Sequence, residues 1–194
     1  MSSFTVIYDT NVLYPNEMRD ILVEIAAHPS GVVRARWSSH ILEELRRTLH
    51  EKAGIELEKL DNMITLMGDA VRDALVEGYE ELIVGLEGLP DPNDRHVLAA
   101  AIRAHAQVIV TQNLKDFPPE YLQKFGMEAQ SADVYLRHLV ELAPGVVYGS
   151  LREISQRRKR APKAVRELVD AFEACGMPLS MGDIRQWLDS NRLE

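Results

Sequence analysis

Short β-branched runs alternate with amphipathic stretches along this chain, and that alternation sets the expected fold class. Thr5 to Tyr8 (TVIY), Val32 to Trp37 (VVRARW) and Val108 to Val110 (VIV) read as buried strands, with Met127 to Ala129 as a further candidate. Between them apolar residues return at helical spacing. Met18, Ile21, Leu22 and Ile25 follow Pro15; Ile41, Leu42, Leu45 and Leu49 follow Ser38; Leu57, Leu60, Ile64 and Met67 come next. Ser38 is placed to cap the second of these helices, which stops near Gly54. Residues 77–90 (EGYEELIVGLEGLP) are weakly patterned and read as loop with a short helix. Asp91-Pro92 opens a helix through His105, PPEYLQKFG is a short helix, and Asp133 to Leu142 is another. Strands alternating with helices imply a parallel sheet covered on both faces. Ligands of such sheets sit beyond the carboxyl ends of the strands.

The pattern changes after Ala143-Pro144-Gly145. LREISQRRKRAPK, residues 151–163, is strongly basic, and two short helical patterns follow, about Lys163 to Cys175 and Ser180 to Leu188. The expected organisation is an α/β domain over residues 1–143 and a small helical extension over 146–194. Arg157, Arg158, Lys159 and Arg160 form the densest part of the basic run. Two readings of it stay open: cations that balance acids on the main domain, or a patch that steers RNA or a partner.

Composition narrows the function classes. A hydrophobic fraction of 46% over 194 residues is ample for a core. No apolar run approaches the roughly 18 residues of a membrane span, and the N-terminus lacks signal-peptide features, so a cytoplasmic protein is expected. A single cysteine, Cys175, excludes a disulfide framework and a thiolate zinc cluster. The six histidines form no close ligand pair, and neither GxxxxGK[ST] nor GxGxxG occurs. The net charge of -8 argues against a non-specific polyanion binder. It leaves open an enzyme whose carboxylates are offset by metal ions.

Four acids fall where such a site would form. Asp9 ends the first strand, and Asn11 follows two residues later. At about 100° per residue, Glu44 borders the apolar face of its helix whereas Glu43 faces solvent. In DPND, Asp91 suits the N-cap and Pro92 the first helical position. Asp94 instead shares the inward stripe of Val97, Leu98, Ala101 and His105. A carboxylate bordering the core wants a cation. Asp116 follows the strand Val108 to Val110 closely, with Thr111 and Asn113 in the same turn. Carboxylates from separate elements suit hard ions such as Mg²⁺ or Mn²⁺, which activate water for phosphodiester hydrolysis.

DTNVL after the first strand, the E-L pair at Glu44-Leu45, DPNDRHVLAAAI and VIVTQNLKDFP together resemble the PIN domain, specifically toxins of the VapC type. The likeness runs in order from about residue 4 to 140. It implies a three-layer α/β/α PIN-like sandwich with a parallel central sheet, plus the helical appendage, and an endoribonuclease dependent on Mg²⁺ or Mn²⁺. It further implies Asp9, Glu44, Asp94 and Asp116 as catalytic acids, with Asp9, Asp94 and Asp116 as metal ligands. Asn11, Thr111 and Asn113 would be supporting polar residues. Many members have T-x-D where this chain has Asn113, so Asp116 either replaces that acid or reaches the metal through water. An RNA substrate, a cognate antitoxin protein and a homodimer are implied as well. The rival reading is a non-catalytic binding module on the same fold with a degenerate metal site.

Overall fold

A computed structural model describes residues 4–158 and 164–193. Five parallel strands form one sheet: β1 (Phe4–Tyr8), β2 (Val33–Ser38), β3 (Leu75–Val76), β4 (Val108–Val110) and β5 (Glu128–Gln130), in spatial order β3-β2-β1-β4-β5. The order reverses direction between β1 and β4, so crossovers on either side of that line leave helices on opposite faces. β1 and β4 end in register, Tyr8 opposite Val110, and the Asp9 amide donates to the Val110 carbonyl at 3.1 Å. Asp9 and Thr111 are thereby neighbours at the switch point.

The helices are α1 (Thr10–Leu13), α2 (Asn16–Ala27), α3 (Ser39–Ala53), α4 (Leu57–Ala70), α5 (Glu80–Ile83), α6 (Arg95–Arg103), α7 (Pro119–Leu122) and α8 (Ala132–Leu142). The tail adds α9 (Pro144–Arg157), α10 (Val165–Ala174) and α11 (Pro178–Asn191). Ser38 caps α3 by accepting from the Ile41 amide, and Gly54 ends it in the left-handed conformation. Tyr8 stands at the sheet centre, its hydroxyl 3.2 Å from that of Tyr135 on α8 and 3.3 Å from the Leu22 carbonyl on α2. That pairing satisfies two buried hydroxyls between the sheet and one helical layer.

Three local expectations change. The two-residue β3 carries no periodic signal, and its edge pairing with Trp37 and Ser38 creates it. The Asp91 helix is a 3-10 turn, Pro92–Asp94, leading into α6, which stops at Arg103; His105 is exposed at positive φ, off the inward stripe. The tail holds three helices rather than two, because Pro144 starts α9 instead of breaking the chain. α9 packs on α2, and α11 packs on α8 and α10. Their buried Leu151, Ile154, Phe172 and Ile184 join the core that includes Ile7 and Val110. Among the described residues no helix is long and apolar enough to cross a membrane.

Candidate functional site

Asp9 is only 4% exposed, and every oxygen of its carboxylate is engaged. Oδ1 accepts from the Thr10 amide at 2.6 Å; Oδ2 accepts from Asn11 Nδ2 at 2.6 Å and from the Thr111 hydroxyl at 2.7 Å. Asn11 also donates to Thr111 Oγ1 at 2.9 Å, and its Oδ1 accepts from the Gln112 amide at 2.8 Å. The Thr111 amide in turn donates to Gln130 on β5 at 2.9 Å. The D-T-N turn of β1 is thus laced to the first residues beyond β4, and Asp9 has no rotamer freedom left to lose on binding.

Thr10 turns the other way. Its hydroxyl donates to Glu44 Oε2 at 2.7 Å, bringing that side chain, 40% exposed, to the same edge. His96 Nε2 lies 3.9 Å from the same oxygen. Burial lowers the His96 pKa, Glu44 opposes that shift and His40 adds to it, so the imidazole is neutral at pH 7 and the contact is no ion pair.

Asp91, Asp94 and Asp116 place carboxylate oxygens within 4.8 Å of one another. Asp91 caps its turn, accepting from the Asn93 amide at 2.8 Å, and still belongs to the cluster. It was not expected among the site acids. The cap role accounts for it completely at the level of sequence. Only the structure brings it in: in the 3-10 turn side chains three apart eclipse, which sets Asp91 near Asp94. Asn113 spans the remaining gap: its amide nitrogen donates to Asp116 Oδ2 and lies 3.5 Å from Asp94 Oδ2.

The electrostatics follow from that crowding. Burial raises the Asp9 carboxyl to about 6; the hydrogen bonds from Thr111, Thr10 and Asn11 hold it down, and Glu44 pushes it further up. Burial also raises Asp94, to about 7, aided by the charges of Asp9, Asp91, Asp116 and Glu44. Among the described residues no lysine or arginine pairs with Asp9, Asp91, Asp94 or Asp116. Hard oxygen donors without a neutralising cation fit a divalent ion such as Mg²⁺ or Mn²⁺.

A cleft of about 880 Å³ opens over these groups, bounded by Asp9, Asn11, Glu44, Asp91, Asp94 and Asn113 and continuing along α3 past Arg47 and Lys52. Asp116 does not line it and reaches it through Asn113. The basic segment behaves differently. Arg157 pairs with Glu24, and Arg158 lies 3.5 Å from Asp20 and over the Phe172 ring, so both clasp α9 to the outside of α2. Lys159 and Arg160 lie outside the described residues.

The fold and site define a class: a parallel α/β sheet with a carboxylate cluster at its switch point. The chain belongs to the PIN-domain family, whose "PIN domain" model matches residues 5–115. A second model, "VapC50 C-terminal domain", matches residues 132–186, covering α8 and most of the tail. The chain is similar to the protein named "Putative ribonuclease VapC50" of Mycobacterium tuberculosis, 36% identical over 97 residues. That stretch covers 50% of this chain and 54% of the relative, so the chain spans about half the length of the curated protein it matches. No solved structure matches the chain.

Proposed function

We propose that this protein is an endoribonuclease dependent on Mg²⁺ or Mn²⁺ that hydrolyses RNA phosphodiester bonds. It is read as the toxin of a toxin–antitoxin pair, cytoplasmic and dimeric, held in check by an antitoxin protein. The observation that carries the reaction class is the set of unneutralised carboxylates converging at the end of β1 and β4. The similarity to the protein named "Putative ribonuclease VapC50" supports the substrate class, and the VapC50 C-terminal match supports the toxin reading. Residues 1–143 are the nuclease domain in this proposal, and 146–194 the extension.

Asp9, Asp94 and Asp116, joined by Asp91, are the residues that would hold a divalent ion. When bound, the ion supplies Lewis-acid charge for the phosphoryl oxygens and makes water more acidic. The chain's own residues do the rest. Thr10, Asn11 and Thr111 fix Asp9 in one orientation, so no reorganisation is needed as charge develops. Glu44, oriented by Thr10, is a carboxylate at the cleft wall able to accept a proton from the attacking water. Asn113 presents an amide between Asp94 and Asp116 and sets their spacing.

The test is cleavage of labelled RNA by purified protein with Mn²⁺, Mg²⁺ or EDTA. Cutting should need the ion and fall by a factor of about 10² or more in Asp94→Asn. Full activity in EDTA, or in Asp94→Asn with either ion, would defeat the assignment.

A further inference from the structure

The cleft has a basic wall as well as an acidic floor. Arg47 and Lys52 line it from α3, the helix that also carries Glu44. At a rise of 1.5 Å per residue, Arg47 stands about 4.5 Å and Lys52 about 12 Å beyond Glu44 along the axis. Neither forms an ion pair within the described residues. Arg46, one position away, is spent on Asp61, and Arg137, Arg157, Arg158, Arg166 and Arg185 are likewise paired with acids of the chain. Exposed Arg34, Arg72 and Lys115 also lack an ion pair, so what sets Arg47 and Lys52 apart is their place on the wall of the acidic cleft, where they can meet something that enters it.

That something must be anionic and extended. The clustered acids repel a phosphodiester strand everywhere except at a bound ion, so the strand needs cationic holds set away from the ion. Arg47 offers a planar fork suited to phosphate oxygens and Lys52 a flexible point charge. A cleft of about 880 Å³ takes a few nucleotides of a single strand.

We propose that Arg47 and Lys52 bind two backbone phosphates on one side of the scissile bond, so that single-stranded RNA runs along α3 toward its C-terminal end. The inference rests on the ribonuclease reading. Both are positioning residues, without a part in the bond-breaking step.

The experiment compares wild type with Arg47→Gln/Lys52→Gln in steady-state cleavage of a labelled single-stranded RNA with Mn²⁺. Both positions are exposed on a helix surface, so the thermal midpoint should hold and report intact folding. KM should rise about ten-fold with kcat little changed. Because the variant leaves two phosphates without a cation, the salt slope of log(kcat/KM) should flatten by about 1.4, a seven-fold change in the wild-type to variant ratio between 50 and 200 mM salt. Arg46→Gln, on the same helix but off the cleft, should leave KM unchanged. If wild type cuts RNA while the double variant keeps its KM and salt slope, the track along α3 is wrong and the ribonuclease reading stands. Loss of slope in Arg157→Gln/Arg158→Gln but not in the α3 variant overturns it in the same way. A wild-type protein that cuts no RNA with either ion overturns the ribonuclease reading and this proposal with it.

Discussion

Replacing Asp9 by asparagine separates the penalty of burying its charge from the worth of its hydrogen bonds. In the folded chain the carboxyl titrates at about 6, against about 3.9 in an unfolded chain. The folded state therefore keeps the proton over a window in which the unfolded state has already lost it. Stability from this group is complete below about pH 4 and disappears as pH rises through about 6. A difference of about two units corresponds to ~3 kcal/mol in all, of which ~1.4 kcal/mol falls between pH 5 and 8. Asparagine cannot titrate, so Asp9→Asn escapes that loss. Its amide nitrogen cannot accept from Asn11 and Thr111 as Oδ2 does, at a penalty of about 1–3 kcal/mol that does not vary with pH. The variant should be less stable than wild type at pH 5, and the gap should narrow by at least ~1.4 kcal/mol at pH 8, since losing the Asp9 charge also eases ionisation of Asp94. Urea unfolding in EDTA at pH 5, 6, 7 and 8 measures this, because a bound cation would itself pull the carboxyl down. Two stability curves running parallel across that range would refute the argument that burial holds a proton on Asp9.

Asn113→Asp adds a further carboxylate beside Asp91, Asp94 and Asp116. Calorimetry should show Mn²⁺ binding about ten-fold tighter, with the metal-free protein less stable at pH 8. Unchanged affinity would mean that the side chain does not face the ion. Asp133→Ala removes a buried carboxylate that accepts from the Leu179 and Ser180 amides at 3.0 and 2.8 Å and from the Ser180 hydroxyl at 2.8 Å. It should lower stability by about 2–4 kcal/mol and speed amide exchange in α11. A loss below about 0.5 kcal/mol would show that water replaces the cap.

What the sequence disclosed depended on how many neighbours a residue answers to. TVIY and VIV are apolar on both faces, so their burial and parallel pairing were legible from composition. Asp94 stood out because it broke an apolar stripe, and Glu44 because it bordered one. Asp91 escaped notice because one local role, capping, satisfied every rule available. β3 exists only through Trp37 and Ser38 on the neighbouring strand, a relation that no local window contains. The arginines at 157 and 158 look like a free patch in a linear reading. Their partners, Glu24 and Asp20, lie more than a hundred positions earlier and meet them only through the packing of α9 on α2.

The carbonyl of Gln130 takes the Thr111 amide, Ser131 caps α8, and Asp133 on that helix grips the start of α11. Four consecutive positions therefore link the hydroxyl beside Asp9 to the last helix of the chain. The extension is a strut braced against the candidate site rather than a decoration on it. The last helix of the chain is thus tied, wholly outside the cleft, to the strand end whose Thr111 hydroxyl holds Asp9.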